Sequence, residues 1–353
     1  MPGKVVMPLR LGRSVAMRVD VRAVVVCGLL GVGVLGVGVL AIGTGDYTLS
    51  PREVIETLLG DGPPGASFIV ERLRLPRAVC GLLVGASLGV AGGIFQSLSR
   101  NPLGSPDIIG FTNGAATAAV IAILLFGAGA DLTAVAAIVG GLVTALVVYL
   151  LALGRGPGGG AGGQGYRLVL VGIGVSATLA GITAYLLARA EQEQAVAATV
   201  WLVGSLNGRG WEQVRPVALA LVVLLPVALA LARPLRMMEM GDEPAAALGV
   251  RVERTRIVLV LVGVGLTGVA TAASGTIGFV ALAAPQLARR LTRTTGPGLV
   301  SAALMGAFVL AVSDLVAQRA FAPTQLPVGV ATASVGGLYL VWLLSREWRA
   351  HRG

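Results

Sequence analysis

Apolar runs long enough to cross a bilayer recur along almost the whole of this 353-residue chain, and that property excludes most folds. A spanning helix needs ~20 mostly apolar residues, because the hydrocarbon core offers an unpaired backbone no water to bond. With 55% of residues hydrophobic, 12% charged and a mean hydropathy of +0.86, an ordinary water-soluble domain is ruled out. Aromatics make up only 5%, while glycine occurs 52 times, a balance that suits close helix contacts through small residues. The fold class that follows is an all-α polytopic membrane protein.

The pattern predicts about ten transmembrane helices: Val21–Gly43, Ala78–Phe95, Ile108–Phe126, Leu132–Leu153, Leu168–Leu187, Val217–Leu231, Ile257–Ala273, Ile277–Leu287, Val300–Val312 and Val328–Leu344. Several fall short of ~20 residues, the eighth most of all, so they are expected to be broken or shielded by protein. A basic tail over 1–20 precedes the membrane domain, 21–345, and a second tail covers 346–353. The basic lead (Lys4, Arg10, Arg13, Arg18, Arg22) runs on into a full span without a small-residue cleavage site, unlike a signal peptide. With the N-terminus inside, nineteen of the 27 Lys and Arg fall in inner segments. The outer segments keep Arg52, Arg72, Arg74, Arg77, Arg189, Arg209, Arg215 and Arg319. That bias puts both termini in the cytoplasm. It also makes the net charge of +10 a set of topology signals rather than a nucleic-acid surface.

Little raw material for catalysis exists. Cys27 and Cys80 lie inside apolar runs, and the only histidine, His351, lies in the charged C-terminal tail. No nucleophile–base set, carboxylate pair or metal-ligand spacing stands out, so no catalytic residue, metal or cofactor is expected. Lys4 is the only lysine, and there is no Walker P-loop. Ion-coupled carriers keep ionisable groups within their spans, whereas here only Asp107 and Asp314 come close. Transport energy would have to come from a partner. Three G-x-G-x-x-G matches, at Gly31, Gly154 and Gly263, open no strand–turn–helix unit and are not dinucleotide fingerprints. The tract Gly154–Gly165 reads as a flexible inner linker.

The stretch from Arg72 to Ala115 is the most informative. Arg72, Arg74 and Arg77 place positive charge in an outer loop, either as snorkelling anchors or as a docking patch for an acidic partner. Gly81, Gly85, Gly89 and Gly93 follow at i+4 spacing, a bare stripe for helix packing or for lining a path. Asn101-Pro102-Leu103 then breaks the helix, as an ordinary turn or as a constriction built from Asn101 and Leu103. Further on, Met237–Val250 reads as a short inner helix with Asp242 as cap, Glu243 and Pro244 in its first turn and Gly249 at its end. Its methionines and Leu248 suit a groove on a cytoplasmic partner. Arg77–Gly93 and Arg256–Gly275 echo each other as a candidate inverted repeat.

RLPR at Arg74–Arg77, NPLGSPDIIGFTNGA at Asn101–Ala115, WLVGSL at Trp201–Leu206 and G-x-x-x-A-x-x-LG at Gly241–Gly249 all resemble the FecCD-type permeases. So do GTIGFVALAAP at Gly275–Pro285 and LPVGVATASVG at Leu326–Gly336. These permeases are the membrane subunits of bacterial ABC importers for iron–siderophores, haem and cobalamin, and the resemblance runs from about Leu73 to Leu344. It implies an ABC importer type II, cobalamin-permease-like fold in the bacterial cytoplasmic membrane. It also implies a second permease subunit, identical or paralogous, two cytoplasmic ATP-binding subunits and an extracytoplasmic binding protein. By position, Arg74 and Arg77 would dock that binding protein, and Asn101, Pro102 and Leu103 would form the inner gate. Met240, Gly241, Asp242, Glu243, Ala245, Leu248 and Gly249 would couple to the ATPase. IFQSLSRNPLGSPDIIGF is most similar to subunits for ferric enterobactin and related catecholate siderophores. A ferric siderophore is therefore the expected cargo, with cobalamin or haem as alternatives and an ion-coupled secondary transporter as the runner-up. Three positions depart from the family pattern. Gln286 replaces the usual histidine after Pro285, Gln318 beside Arg319 stands where some members place a third docking arginine, and Gly337 replaces a frequent proline.

Overall fold

The computed structural model describes residues 6–10, 16–45, 47–152, 164–320 and 324–350. A short antiparallel strand pair, β1 (Val6–Arg10) and β2 (Ala16–Asp20), leads into helix α1 (Val21–Gly43). Then come α2 (Pro51–Leu59) and a π-helical turn, Phe68–Arg74, that runs directly into α3 (Leu75–Ser99). The chain continues through α4 (Phe111–Phe126), α5 (Ala130–Ala152), α6 (Gln164–Arg189), α7 (Gln192–Val203) and α8 (Trp211–Ala230). It ends with α9 (Ala232–Met238), α10 (Asp242–Ala247), α11 (Val252–Ser274), α12 (Val280–Thr292), α13 (Leu299–Arg319) and α14 (Val328–Ala350).

Each of the ten expected helices has a counterpart: α1, α3, α4, α5, α6, α8, α11, α12, α13 and α14. Seven are long and apolar enough to cross a membrane, while α4 and the stretch Val328–Tyr339 of α14 are shorter apolar helices and α12 has 13 residues. Several boundaries move. The second span begins at Phe68, ten residues before Ala78, because the π turn feeds α3 without a break. The single helix expected over Met237–Val250 is split into α9 and α10, since Gly241 adopts φ 122 between them. The last helix, expected to end at Leu344, continues through Ala350. The glycine linker over 154–165 lies outside the described residues except at its last two positions, and His351 lies outside them as well.

The bundle is organised around α3, whose span is 72% buried, whereas α6 buries only 11% of its window. α3 packs against α13, α11, α12 and α8. The glycine stripe explains why it can. A Cβ on Gly85 would sit 2.4 Å from the carbonyl oxygen of Gly306, one on Gly89 2.2 Å from that of Ala302, and one on Gly306 2.1 Å from that of Gly85. Only small residues permit that backbone-to-backbone approach, and so the stripe packs α3 on α13. A Cβ on Gly92 would come still closer, 1.8 Å, to the carbonyl of Ala281, which places the start of α12 well inside the length of α3. Phe95 and Phe111, with ring centroids 5.2 Å apart, fill the core where α3, α4 and α11 meet.

Candidate functional site

α3 runs between two polar clusters, one at each end of the bundle. At its start, Arg72, Arg74, Arg77 and Arg209 border a cavity of about 430 Å³ with Asp314, Gln318 and Gln325. Arg77 makes a two-point ion pair with Asp314, from Nη2 to Oδ1 at 2.8 Å and from Nε to Oδ2 at 3.1 Å. Its Nη1 donates to Gln325 Oε1 at 3.0 Å, and Gln318 donates to Asp314 at 2.7 Å. Arg74 donates to the carbonyls of Ile42 and Tyr47 at 2.8 and 2.7 Å, stitching the end of α1 to the π turn. Both arginines singled out by sequence are thus engaged within the chain, while Arg72 and Arg319 are exposed. Burial pulls the Arg209 pKa below its ordinary value, with the Cys80 thiol acting in the opposite sense.

The opposite cluster surrounds the Asn-Pro-Leu break and a cavity of about 460 Å³ that includes Asn101, Pro102, Gln286, Arg289 and Arg290. Arg100 ends α3 in the left-handed region at φ 51. Asn101 Oδ1 then accepts from the Leu103 N–H at 2.9 Å, a side-chain turn that fixes the three-residue break. Gln286 donates to the Pro102 carbonyl at 2.7 Å and accepts from the Tyr339 hydroxyl at 3.3 Å, so it holds the break to α12 and α14. Gln96 donates to the Leu282 carbonyl at 2.9 Å and accepts from Arg289. The break continues to Asp107, whose carboxylate accepts from the Thr112 hydroxyl at 2.7 Å. Phe279 sits at φ 68, a region that a bulky side chain occupies only under constraint, at about 1–3 kcal/mol.

Beside this cluster lies α10. Asp242 was expected to cap it, but Gly241 occupies the N-cap and no side chain caps the helix. The carboxylate of Asp242 is instead held by Arg256 at 2.6 Å and Arg100 at 3.6 Å, because two cations within reach outcompete a local backbone bond. Ala245 is fully buried, whereas Glu243 is exposed and Met240 and Leu248 are about 60% exposed (61% and 60%). Gly249, at φ 85, closes the segment.

One arrangement went unread at the sequence level. WLVGSL, GTIGF and LPVGV converge on a single backbone junction. Gly275 (φ 73) would place a Cβ 2.3 Å from the Trp201 carbonyl, and Gly204 (φ 75) would place one 2.3 Å from that of Thr276. Gly329 would place one 1.7 Å from that of Val203. Ser205 N–H donates to the Ser274 carbonyl at 2.7 Å, and Gly329 N–H donates to that of Gly204 at 3.1 Å. The only sequence signal was the recurrence of glycine in three separate motifs. Among the described residues no group of three or more His, Cys, Asp or Glu side chains could hold a metal ion.

This arrangement of spans, broken helices and end clusters matches a solved structure described as an inward-facing metal-chelate type ABC transporter. The TM-score is 0.80 at 26% identity, over 91% of this chain and 99% of that one. The architecture is that of the membrane permease of a type II ABC importer. The sequence profile of the FecCD transport family matches residues 33–346, and the chain belongs to that family. Among its relatives, the ferric enterobactin transport system permease protein FepG of Escherichia coli (strain K12) is 46% identical over 331 residues, 93% of this chain and 95% of that one. The achromobactin transport system permease protein CbrC of Dickeya dadantii (strain 3937) is 39% identical over 313 residues, 86% of each chain.

Proposed function

We propose that this chain is the non-catalytic permease subunit of an ATP-driven importer that carries a ferric siderophore of the catecholate class across the bacterial cytoplasmic membrane. The observation that carries this reading is the 46% identity to the ferric enterobactin permease over nearly the full length of both chains. Positive-inside bias orients the Arg100 end toward the cytoplasm, with both termini on that side. A second permease, identical or paralogous, completes the path, and the exposed face of α6 is available for it.

On the cytoplasmic side, α10 and its flanking residues offer Met240, Glu243 and Leu248 to an ATP-binding subunit, while Ala245 anchors the helix from beneath. An exposed methionine and leucine flanking one short helix suit insertion into a partner groove. The Asn101–Leu103 break is the inner gate. On the outer side four arginines against one aspartate make a positive field for an acidic binding protein, with Arg72 most accessible and Arg74 and Arg77 fixed behind it.

The test is uptake into proteoliposomes that contain this chain, its partner permease and ATPase, with the binding protein outside. ATP-dependent entry of radiolabelled ferric tris-catecholate is expected. Preferential entry of cobalamin or haem would overturn the cargo assignment. Uptake by the chain alone under a proton or sodium gradient would overturn the energetic class.

A further inference from the structure

We infer that Arg100, Asp242 and Arg256 form a charge clasp that delivers movement of α10 to the Asn101–Leu103 break, with Ser97 and Glu239 as a second strand of the same link. This rests on the reading of α10 as the ATPase contact and of the break as the gate, and it assigns roles to Arg100, Arg256, Ser97 and Glu239.

The geometry is a bridge with two feet. Asp242 presents one carboxylate oxygen to Arg256 Nη2 at 2.6 Å and the other to Arg100 Nη2 at 3.6 Å. The side chains are 11%, 14% and 27% exposed, so water screens these charges weakly. Arg256 lies in the first turns of α11 and is held further by Glu253 at 3.2 Å, which also accepts from the Tyr149 hydroxyl of α5. That foot is anchored to two long helices. The other foot stands on the C-cap of α3, and the gate begins at the next residue.

The second strand runs parallel to the first. Ser97, one turn before Arg100, donates to Glu239 Oε1 at 2.6 Å, and Glu239 lies three residues before Asp242. Segment 239–242 is therefore tied at two points to the last turn of α3. The gate side is built to receive the displacement: Asn101 bonds Leu103 N–H, so the break moves as a unit when Arg100 is drawn. Gln286 holds Pro102 from the far side and gives the motion something to work against. Met240 and Leu248, exposed beside the clasp, are where a partner would push.

The experiment measures ATP hydrolysis and ferric tris-catecholate uptake in the same proteoliposomes. Arg100→Ala is expected to assemble and hydrolyse ATP near the wild-type rate. Uptake per ATP should fall on the order of tenfold, within the usual range of a coupling free energy between sites. Arg100→Lys, which keeps a cation near Asp242, should recover part of that ratio. Glu239→Gln, which leaves the contacts of Asp242 with Arg100 and Arg256 in place, should lower it less, and it carries the test if Arg100→Ala does not assemble. Unchanged uptake per ATP in both Arg100→Ala and Glu239→Gln would overturn the clasp. So would a proportional loss of assembly, hydrolysis and uptake together in Glu239→Gln, since that marks a merely structural role. Wild-type complex without ATP-driven uptake would instead overturn the functional reading itself.

Discussion

Arg77 and Asp314 hold each other in a two-point ion pair across α3 and α13, although 237 positions of sequence separate them. Their side chains are 14% and 6% exposed, so neither charge is well solvated on its own. In such a pair the loss of one member exposes the cost of burying the other. Arg77→Gln is therefore expected to destabilise the protein by about 3–5 kcal/mol. The double variant Arg77→Met/Asp314→Leu should lie near wild type, because removing both charges leaves none uncompensated. Thermal unfolding in detergent checks both. The double variant is also the clean docking probe: if Arg77 contributes to binding-protein capture, affinity falls in a stable protein, whereas Arg77→Glu would set a second carboxylate against the buried one of Asp314.

The seam between α3 and α13 yields a sharper contrast. Gly89→Ala drives a methyl to 2.2 Å from the Ala302 carbonyl oxygen, and only a backbone shift can relieve it. Overpacking of this kind costs about 1–3 kcal/mol. Gly174→Ala, in α6, meets nothing within 4 Å and should leave unfolding unchanged or slightly later, since alanine favours helix. Equal melting temperatures for the two variants would contradict the packing assignment of the stripe.

Gln286 gives the third expectation. Its amide is bonded on both sides, to the Pro102 carbonyl and the Tyr339 hydroxyl, so Gln286→Leu removes two part-buried hydrogen bonds. About 1–3 kcal/mol of local stability should disappear. The loop 100–106 should then exchange its amide hydrogens faster, and if it is the gate proposed above, the reconstituted permease should leak cargo without ATP. Gln286→His can still donate to Pro102 and should behave close to wild type. Hydrogen exchange over 100–106 and passive flux measure the two effects.

How much of this was legible in the sequence differs by kind of interaction. The spans could be read because a bilayer imposes one requirement, apolar length, that composition satisfies locally. The stripe could be read because glycine at i+4 spacing is itself a geometry. Side-chain pairing could not. Asp242 follows the rule for a helix cap, yet two arginines 142 and 14 positions away claim it. Arg74 and Arg77 stand in the RLPR motif, but nothing nearby in sequence announces the carbonyls of Ile42 and Tyr47 or the carboxylate of Asp314. The glycine junction of residues 204, 275 and 329 stayed hidden for the same reason. Each motif shows a glycine, and only folding shows that all three serve one crossing of backbones.

Where carbonyl oxygens of α13 rest on glycines of α3, no side chain lies between the two backbones. Nothing there can change rotamer, so the helices have one relative placement instead of a graded series. A transporter that opens alternately at its two ends needs a part that does not move with either. The seam of Gly85, Gly89 and Gly306 has that property: a keel laid through the middle of the bundle, between the two polar clusters.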